Sequence, residues 1–373
     1  MNNPALPLFV PIGANTTRVF GLDAKSRACR LAAKAGLSCA DQAPAGGAVL
    51  LANLAFAWDP AWLKMLAAKP GTLIASEGRP VLAHVPAGAD SAAVAAAMQG
   101  EGSGPIEGMT QLDAATAEVA YADLRKRERP FVLPLSDETA DRVERAAYDA
   151  SYKGVTDALT LYLWRRPAFY LTRWAAQAGV TPNAVTAVGT VLCVLAFYLF
   201  WNGHYWLGTL SGFAFMVLDT VDGKLARCTG ASSWWGNIFD HGIDLIHPPF
   251  WWWAWLHGLV AYGRPLELVY SANVLAVIVA GYIVQRGIEG VFMRRFAMHI
   301  HVWQQIDSRF RLITARRNPN MVILVLALLF GRPDVGIELL ALWTLLSLAF
   351  HAVRLAQAEA ADYRGEPVVT WLS

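Results

Sequence analysis

Charged side chains are scarce in this chain of 373 residues. They make up 16% of the sequence, whereas hydrophobic residues make up 55% and include 15 tryptophans. The formal net charge of +2 indicates no particular partner, and no segment resembles a nucleic-acid-binding patch. The composition is that of a membrane protein that carries a soluble portion.

Cysteine is also rare, and no export signal is recognisable. The four cysteines, Cys29, Cys39, Cys193 and Cys228, show no paired spacing, so the sequence predicts neither a disulfide framework nor a zinc site. The first residues lack a basic segment followed by a long apolar run, so no signal peptide is predicted. The N-terminal part is therefore expected to stay in the cytoplasm.

Four aspartates at the edge of the apolar half are the most informative residues. Asp219 and Asp222 are three positions apart, and Asp240 and Asp244 are four apart, so each pair projects from one face of a helix. Two such helices side by side would converge four oxygen ligands, which suits hard divalent cations, above all Mg²⁺. Without a metal or shifted pKa values, four negative charges beside hydrocarbon would be costly.

The neighbours of these aspartates favour a phosphate-bearing ligand. Gly223 removes the side chain where a substrate must approach closely, and Gly236 opens the facing helix in the same way. Arg227 supplies a cation whose planar fork suits phosphate. The alternative interpretation is an incidental acidic patch between two apolar helices.

The pattern D-x2-D-G-x2-A-R-x8-G-x3-D-x3-D between Asp219 and Asp244 resembles the signature of the CDP-alcohol phosphotransferases, which are integral membrane enzymes. Every fixed position is matched. The resemblance implies that Asp219, Asp222 and Asp240 bind two metal ions, Mg²⁺ or Mn²⁺. It also implies that Asp240 and Asp244 are catalytic carboxylates, with Asp244 helping to bind metal and acting as the general base.

The resemblance extends to the nucleotide and to the reaction. It implies that Gly223, Ala226 and Gly236 line the cytidine pocket and that Arg227 binds the diphosphate. The implied activity is metal-dependent transfer of a phospho-alcohol group from a CDP-alcohol to the hydroxyl of an alcohol or polyol phosphate, with release of CMP, in a membrane-bound homodimer. Two alternatives stay open, namely a catalytically silent membrane scaffold and a CDP-alcohol hydrolase.

Residues 1–135 alternate short apolar runs with alanine-rich helical stretches, which is typical of an α/β layer domain. Residues 60–69 are predicted to form a helix, and 72–75 and 81–85 to form the two strands of a hairpin. The layout is similar to that of the bifunctional inositol-phosphate cytidylyltransferase/di-inositol-phosphate-phosphate synthases, whose N-terminal domain is a nucleotidyltransferase.

The N-terminal segment departs from that resemblance at the expected nucleotide loop. Residues 11–15 contain one glycine and are followed by no basic residue before Arg18, so the glycine-rich basic loop that would hold a nucleoside triphosphate is missing. The sequence therefore predicts a degenerate, non-catalytic, nucleotidyltransferase-like domain.

Residues 136–180 are predicted to link this domain to the membrane. Aromatic residues and arginines interleave at helical spacing between Tyr162 and Trp174, which indicates a helix lying in the membrane interface. The alternative is a solvated linker helix. Pro182 at the first turn then predicts the start of the first span.

Residues 181–357 are predicted to form a six-span bundle, followed by a cytoplasmic tail at 358–373. The predicted spans are 183–201, 205–225, 235–258, 266–287, 317–331 and 334–355. With the N-terminus inside, only Arg264 and Arg332 lie in outer loops. The inner side holds Lys224, Arg227, Arg294, Arg295, Arg309, Arg311, Arg316 and Arg317. The site is therefore expected to face the cytoplasm across an inner or plasma membrane.

Polar residues near the fourth and fifth spans are further candidates. Arg316 and Arg317 are candidates for binding a phosphate on the acceptor, and the alternative is an ordinary positive-inside anchor. Arg286 and Glu289 are expected to pair or to line the cavity. No metal is predicted at the histidines, because only two of them have ligand spacing to each other and these lie in a loop or interface helix. The histidines considered are His241, His247, His299 and His301.

Overall fold

The computed structural model describes most of the chain, in the ranges 6–44, 46–101, 106–117, 119–121, 126–231 and 234–372. The side chains of residues 119–121, 126–128 and 234–241 lie outside that description. The chain divides into two compact units. The first consists of Met1–Tyr152, Phe169–Pro182 and Gly223–Ser232. The second consists of Lys153–Ala168, Asn183–Asp222 and Ser233–Ser373.

The first unit contains a mixed β-sheet, as the alternating pattern predicted. Its strands are β1 (Leu8–Ile12), β2 (Arg18–Val19), β3 (Leu22–Asp23), β4 (Val49–Asn53), β5 (Phe56–Trp58), β6 (Thr72–Ser76), β7 (Arg79–Val85), β8 (Thr110–Asp113), β9 (Val119–Tyr121), β10 (Lys126–Glu128) and β11 (Val132–Pro134). Five strands form one sheet in the order β1-β4-β7-β6-β8. The outer pairs are parallel and the inner ones antiparallel. The predicted hairpin is confirmed, because β6 and β7 pair with Leu73 opposite Ala83.

Helices α1 (Ala24–Lys34), α2 (Ala61–Ala67) and α3 (Ser91–Gln99) pack on this sheet. Helices α4 (Ala140–Ala150) and α5 (Arg165–Gln177) follow the last strand. All five residues of β4 are buried, as expected for a strand in the middle of a covered sheet. Val94 and Met98 of α3 pack on the face that includes Val49 and Leu51. The helix predicted at 60–69 corresponds to α2.

The prediction that no cysteines pair is wrong. Cys29 of α1 and Cys39 form a disulfide, with their Cα atoms 5.5 Å apart. Cys39 pairs with Phe9 of β1 in an isolated bridge, so the fold rather than the local sequence brings the two thiols together. Disulfides are rare in the reducing cytosol, so this bond argues against the predicted cytoplasmic location of the first unit.

The second part of the chain is helical. Its elements are a π-helical turn (Leu159–Leu163), α6 (Pro182–Trp201), α7 (Tyr205–Thr229), α8 (Trp234–Tyr262), α9 (Leu268–Phe296), a 3-10 turn (Ile300–Val302), α10 (Gln305–Arg311), α11 (Arg317–Leu329) and α12 (Pro333–Tyr363). Helices occupy all six predicted spans, and α6 begins at Pro182 as predicted. In the described residues α6, α9 and α12 are long and apolar enough to cross a membrane, and α11 is a shorter apolar helix. The number of spans stays a prediction.

Tryptophan side chains fill the centre of the helical unit. Trp251 and Trp255 of α8 are fully buried, and both indole N–H groups donate to backbone carbonyl oxygens, of Cys193 at 3.1 Å and of Pro333 at 3.1 Å. The hydroxyl of Tyr205 donates to the carbonyl oxygen of Trp255 at 2.7 Å. These bonds satisfy the polar ends of large apolar side chains and fix α8 against α6, α7 and α12.

Glycine allows α8 to approach the end of α6 closely. A Cβ atom on Gly258 would overlap the carbonyl oxygen of Phe200. We expect Gly258→Ala to lower the midpoint of thermal unfolding in detergent by at least about 5 °C, because backbone atoms cannot move aside cheaply. Gly287→Ala is the matched control, since its Cβ would meet nothing within 4 Å and alanine favours a helix. Equal midpoints for the two variants would contradict this packing.

Candidate active site

Two of the predicted aspartates meet at one arginine in the helical unit. The guanidinium of Arg317, at the start of α11, donates to Asp219 Oδ2 of α7 and to Asp244 Oδ1 of α8, each at 2.7 Å. The Asp219 side chain is 16% exposed and that of Asp244 is 44% exposed. Carboxylates from two helices thus converge on the Arg317 guanidinium. The convergence of all four aspartates stays a prediction.

Neighbouring side chains hold Arg317 in this position. Its Nε donates to the side-chain oxygen of Asn318 at 3.2 Å, and its guanidinium carbon lies 4.9 Å from the centre of the Phe215 ring. The amide of Asn318 donates in turn to Asp157 at 2.9 Å and to Thr160 at 3.1 Å. The first turn of α11 is therefore anchored in the segment before α5. Nothing in the local sequence of residues 157–160 signalled this role.

Asp222 occupies a more buried position one turn further along α7. It is 4% exposed, and its Oδ2 accepts a hydrogen bond from Thr186 of α6 at 2.6 Å. A hydroxyl donor fixes the carboxylate and brings no charge of its own. Thr186 is a site residue that the sequence interpretation missed.

The predicted residues Gly236 and Asp240 lie within α8, but the surroundings of Gly236 and the side chain of Asp240 lie outside what the structure describes. The same helix carries Pro248 and Pro249, which have no N–H to donate. The carbonyl oxygen of Leu245 loses its helical partner to Pro249 and accepts instead from the Tyr282 hydroxyl of α9 at 3.0 Å. This bond ties α9 to α8 at the residue after Asp244.

The remaining predicted nucleotide contacts belong to the first unit, at the end of α7. Gly223 lies under the side chain of Arg227, since a Cβ there would be 3.1 Å from its Nη2. Ala226 is half-buried. Lys224 is 3% exposed, donates to the carbonyl oxygen of Ser151 at 3.1 Å and lies 3.0 Å from the centre of the Tyr152 ring. Glycine at position 223 therefore lets the Arg227 guanidinium fold back along its own helix.

Arg316 does not join Arg317 at the aspartates. Its Nη2 donates to both carboxylate oxygens of Glu289, at 2.7 and 2.6 Å, and Arg286 donates to the same carboxylate at 2.6 Å. The expected pairing of Arg286 with Glu289 is confirmed. In the described residues Arg316 therefore bonds to Glu289 and Arg317 to the two aspartates, and the adjacent arginines do not face one common ligand.

A second group of metal-ligand side chains lies at Glu289. Its carboxylate and the rings of His301 and His351 have ligand atoms within 4.8 Å of one another. His351 was not recognised from the sequence, because no local spacing links it to the others. Two guanidiniums already neutralise Glu289, however, so a dication would meet a net positive charge there. We assign this cluster a structural role.

The aspartate site fits a divalent metal better. Its donors are hard carboxylate oxygens, the preferred ligands of Mg²⁺, and two of them from different helices already converge on one positive group at 2.7 Å. Asp219 and Asp244 carry two negative charges, and the Arg317 guanidinium brings one positive charge to both of them. The site therefore has both the ligand type and the demand for positive charge that such an ion meets.

Comparison with known proteins agrees with this geometry. Residues 179–351 match the CDP-alcohol phosphatidyltransferase family. Cholinephosphotransferase 1 of Gallus gallus is 35% identical over 136 residues, which are 32% of this chain and 38% of that protein. Archaetidylinositol phosphate synthase of Pyrococcus horikoshii is 33% identical over 82 residues, 22% of this chain and 44% of that protein. Phosphatidylinositol phosphate synthase of Cutibacterium acnes is 39% identical over 69 residues, 18% of this chain and 33% of that protein.

The chain spans less than half of the length of each of these relatives. The family match nevertheless contains the whole signature from Asp219 to Asp244, together with Arg316 and Arg317. The resemblance inferred from the signature is therefore confirmed. Residues 179–351 of this chain are thus similar to the CDP-alcohol phosphatidyltransferase family.

Proposed function

We propose that this protein transfers a phospho-alcohol group from a CDP-alcohol to an acceptor hydroxyl and releases CMP, in the synthesis of phospholipids or polyol phosphodiesters. The observation that carries the proposal is the convergence of Asp219 and Asp244 on one cation inside the family-matched region. The relatives support this class of reaction, since they are named as a cholinephosphotransferase and as synthases of inositol phosphate compounds.

In the proposed reaction the acceptor oxygen bonds to the β-phosphorus of the CDP-alcohol. The bond from that phosphorus to the oxygen bridging the two phosphates breaks, and CMP leaves with the electron pair. Asp244 takes the hydroxyl proton. Its side chain is 44% exposed against 16% for Asp219, which makes it the more accessible base for an acceptor.

The other proposed roles follow the family resemblance. Asp219, Asp222, Asp240 and Asp244 would hold two Mg²⁺ or Mn²⁺ ions, and bound metal ions stabilise developing charge on transferred phosphoryl groups. The nucleotide contacts would come from Gly223, Ala226, Arg227 and Gly236. Thr186 keeps the Asp222 carboxylate oriented while leaving its charge intact.

An acceptor phosphate would be bound by Arg317 rather than by both arginines. Arg317 is the guanidinium that contacts the proposed catalytic carboxylates, whereas Arg316 is bonded to Glu289. A cation beside the general base is suitably placed for a negatively charged acceptor. Arg316 then has a structural role at Glu289.

We also propose an integral membrane homodimer whose first unit and active site face the cytoplasm of an inner or plasma membrane. The excess of inner lysines and arginines supports this orientation. The Cys29–Cys39 disulfide is the observation that opposes it. Labelling the exposed Lys34 in sealed vesicles with an impermeant amine reagent separates the two orientations.

The proposed activity is tested by measuring CMP release from a panel of CDP-alcohols by the purified protein in Mg²⁺. CMP formed only when an acceptor alcohol or polyol phosphate is added, together with the product mass, supports the transferase. CMP formed equally without acceptor supports the hydrolase. No CMP with any donor and acceptor pair supports the scaffold and overturns the proposal.

A further inference from the structure

A groove lies between α9 and α12, at the end of α9 that follows the fourth predicted span. Its volume is about 600 Å³, within the range of small-molecule sites, which is roughly 300–1,000 Å³. Two glycines, one apolar side chain and three charged side chains line it, namely Gly287, Gly290, Val291, Arg294, Arg295 and Glu359. Counted from Gly287, the positions i, i+3, i+4 and i+7 share one face of a helix, so this face of α9 forms one wall of the groove.

The two glycines keep the groove open and serve no packing within the chain. A Cβ atom on Gly287 or on Gly290 would meet nothing within 4 Å among the described residues. Glycine inside a helix is less favourable than alanine, so local helix stability does not favour glycine at either position. The missing side chains leave this stretch of α9 accessible to a group from outside the chain.

The groove lies at the depth of lipid headgroups. The predicted span ends at Gly287, and Arg294 follows seven residues later, about 10 Å further along the helix axis. The headgroup layer on each side of a bilayer is roughly 5–8 Å thick, and a long arginine side chain can reach back into it. Ile283, one turn before Gly287 on the same face, is exposed and extends the wall towards the hydrocarbon. The groove therefore has a polar end at Arg294 and an apolar end at Ile283.

The polar end carries charges of both signs. Arg295 donates to Asp362 at 2.8 Å and lies 3.6 Å from the Glu359 carboxylate, so one guanidinium faces two carboxylates. Arg294 is exposed, and no acidic side chain pairs with it in the part of the chain that the structure describes. Two positive and two negative charges sum to zero, which complements a ligand that itself carries both signs. A purely anionic headgroup would meet Glu359 with a like charge.

We propose that this groove binds one zwitterionic phospholipid. Its phosphate lies at Arg294, its ammonium group at Glu359, and an acyl chain follows the face of Gly287 and Ile283. The inference is independent of the proposed function, because none of these residues belongs to the proposed catalytic, metal or nucleotide contacts.

The test is lipid binding to the purified full chain in a neutral detergent, measured by native mass spectrometry with phosphatidylethanolamine, phosphatidylglycerol and diacylglycerol. The unaltered protein should retain one phosphatidylethanolamine per chain and bind it more tightly than the other two lipids. Arg294→Gln should raise the Kd of phosphatidylethanolamine by about threefold to fivefold, the range for one exposed charge contact. Diacylglycerol carries no phosphate, so its binding should not change. Glu359→Gln should remove the preference for phosphatidylethanolamine over phosphatidylglycerol.

A second variant fills the groove without a clash inside the chain. Gly290→Leu places a side chain in the open space and should abolish retention of phosphatidylethanolamine. Ala276→Leu is the matched control, since Ala276 is an exposed position of α9 outside the groove. Arg309→Gln is the control for charge, since Arg309 of α10 is exposed and does not line the groove. Both controls should leave phosphatidylethanolamine binding unchanged.

Four results would overturn the inference. The first is an unaltered protein that retains no phospholipid or binds phosphatidylglycerol more tightly than phosphatidylethanolamine. The second is an equal loss of binding in Arg309→Gln, which would assign the effect of Arg294 to basic charge in general. The third is retention that neither Arg294→Gln nor Gly290→Leu reduces, which would place the lipid elsewhere on the protein. The fourth is a change of oligomeric mass in Gly290→Leu with lipid binding retained, which would assign this face to a second copy of the chain.

Discussion

Replacing Asp219 by Asn is expected to abolish turnover while the protein still folds. The change keeps the side-chain volume but removes one of the two charges that converge on Arg317. Stabilisation of phosphoryl transfer by bound metal is worth several kcal/mol, and each 1.4 kcal/mol or so is a factor of ten in rate, so CMP release should fall by at least about a thousandfold. The same loss is expected for Asp240→Asn.

Two measurements separate this loss from a general defect. The affinity for Mn²⁺, measured by the electron paramagnetic resonance signal of the free ion, should fall in Asp219→Asn without any substrate. Asp334→Asn is the matched control, since Asp334 forms a comparable pair with Arg332 at 2.8 Å at the start of α12. It should retain both Mn²⁺ binding and turnover. Near-normal CMP release by Asp219→Asn in Mg²⁺ would show that the aspartates are not the active site.

Local patterns were sufficient for much of the fold. Pro182 marked the start of α6, because a proline at the first turn fixes its backbone and needs no N–H partner. The hairpin of β6 and β7 could be predicted because two short apolar runs flank a turn. The aspartate spacing predicts from helical periodicity alone which carboxylates share a helix face, and in the structure Asp219 and Asp244 of the two helices meet at Arg317.

Contacts between distant segments could not be predicted in this way. Arg317 is 98 positions from Asp219 and 73 from Asp244, and its sequence context is equally compatible with a positive-inside anchor. Its neighbour Arg316 has the same local context yet binds Glu289. Which arginine meets which acid depends on how α11 is rotated against α8 and α9. The Cys29–Cys39 disulfide joins cysteines only ten positions apart, but Cys39 is placed by its pairing with Phe9 of β1, which the local sequence does not show.

Arg317 contacts the carboxylates proposed to bind the metal ions, and it is also the residue proposed to bind a phosphate on the acceptor. In the structure its guanidinium bonds to carboxylates that the family resemblance assigns to metal ions. A metal bound there would compete with Arg317 for those oxygens, and the guanidinium would then be available to a phosphate on the acceptor. Arg317 should therefore affect metal affinity and acceptor affinity in opposite directions.

We therefore expect Arg317→Gln to bind Mn²⁺ more tightly than the unaltered protein, because a competing cation is gone. Its KM for a phosphorylated acceptor should rise by more than about tenfold, since charge-assisted hydrogen bonds are worth roughly 1.5–3 kcal/mol each. An uncharged alcohol acceptor should show little change in KM. The measurements are Mn²⁺ binding without substrate and initial rates against acceptor concentration at saturating CDP-alcohol.

Arg316→Gln provides the neighbouring control, because its guanidinium bonds to Glu289 and not to the aspartates. It should leave the Mn²⁺ affinity and the acceptor KM near their original values. Removal of one of the two guanidiniums that neutralise the partly buried Glu289 carboxylate should lower thermal stability. Equal effects of the two variants on the acceptor KM would contradict the separation of roles. If Arg317→Gln changes neither Mn²⁺ affinity nor acceptor KM, Arg317 is a positive-inside anchor, and the expected acceptor becomes an uncharged alcohol.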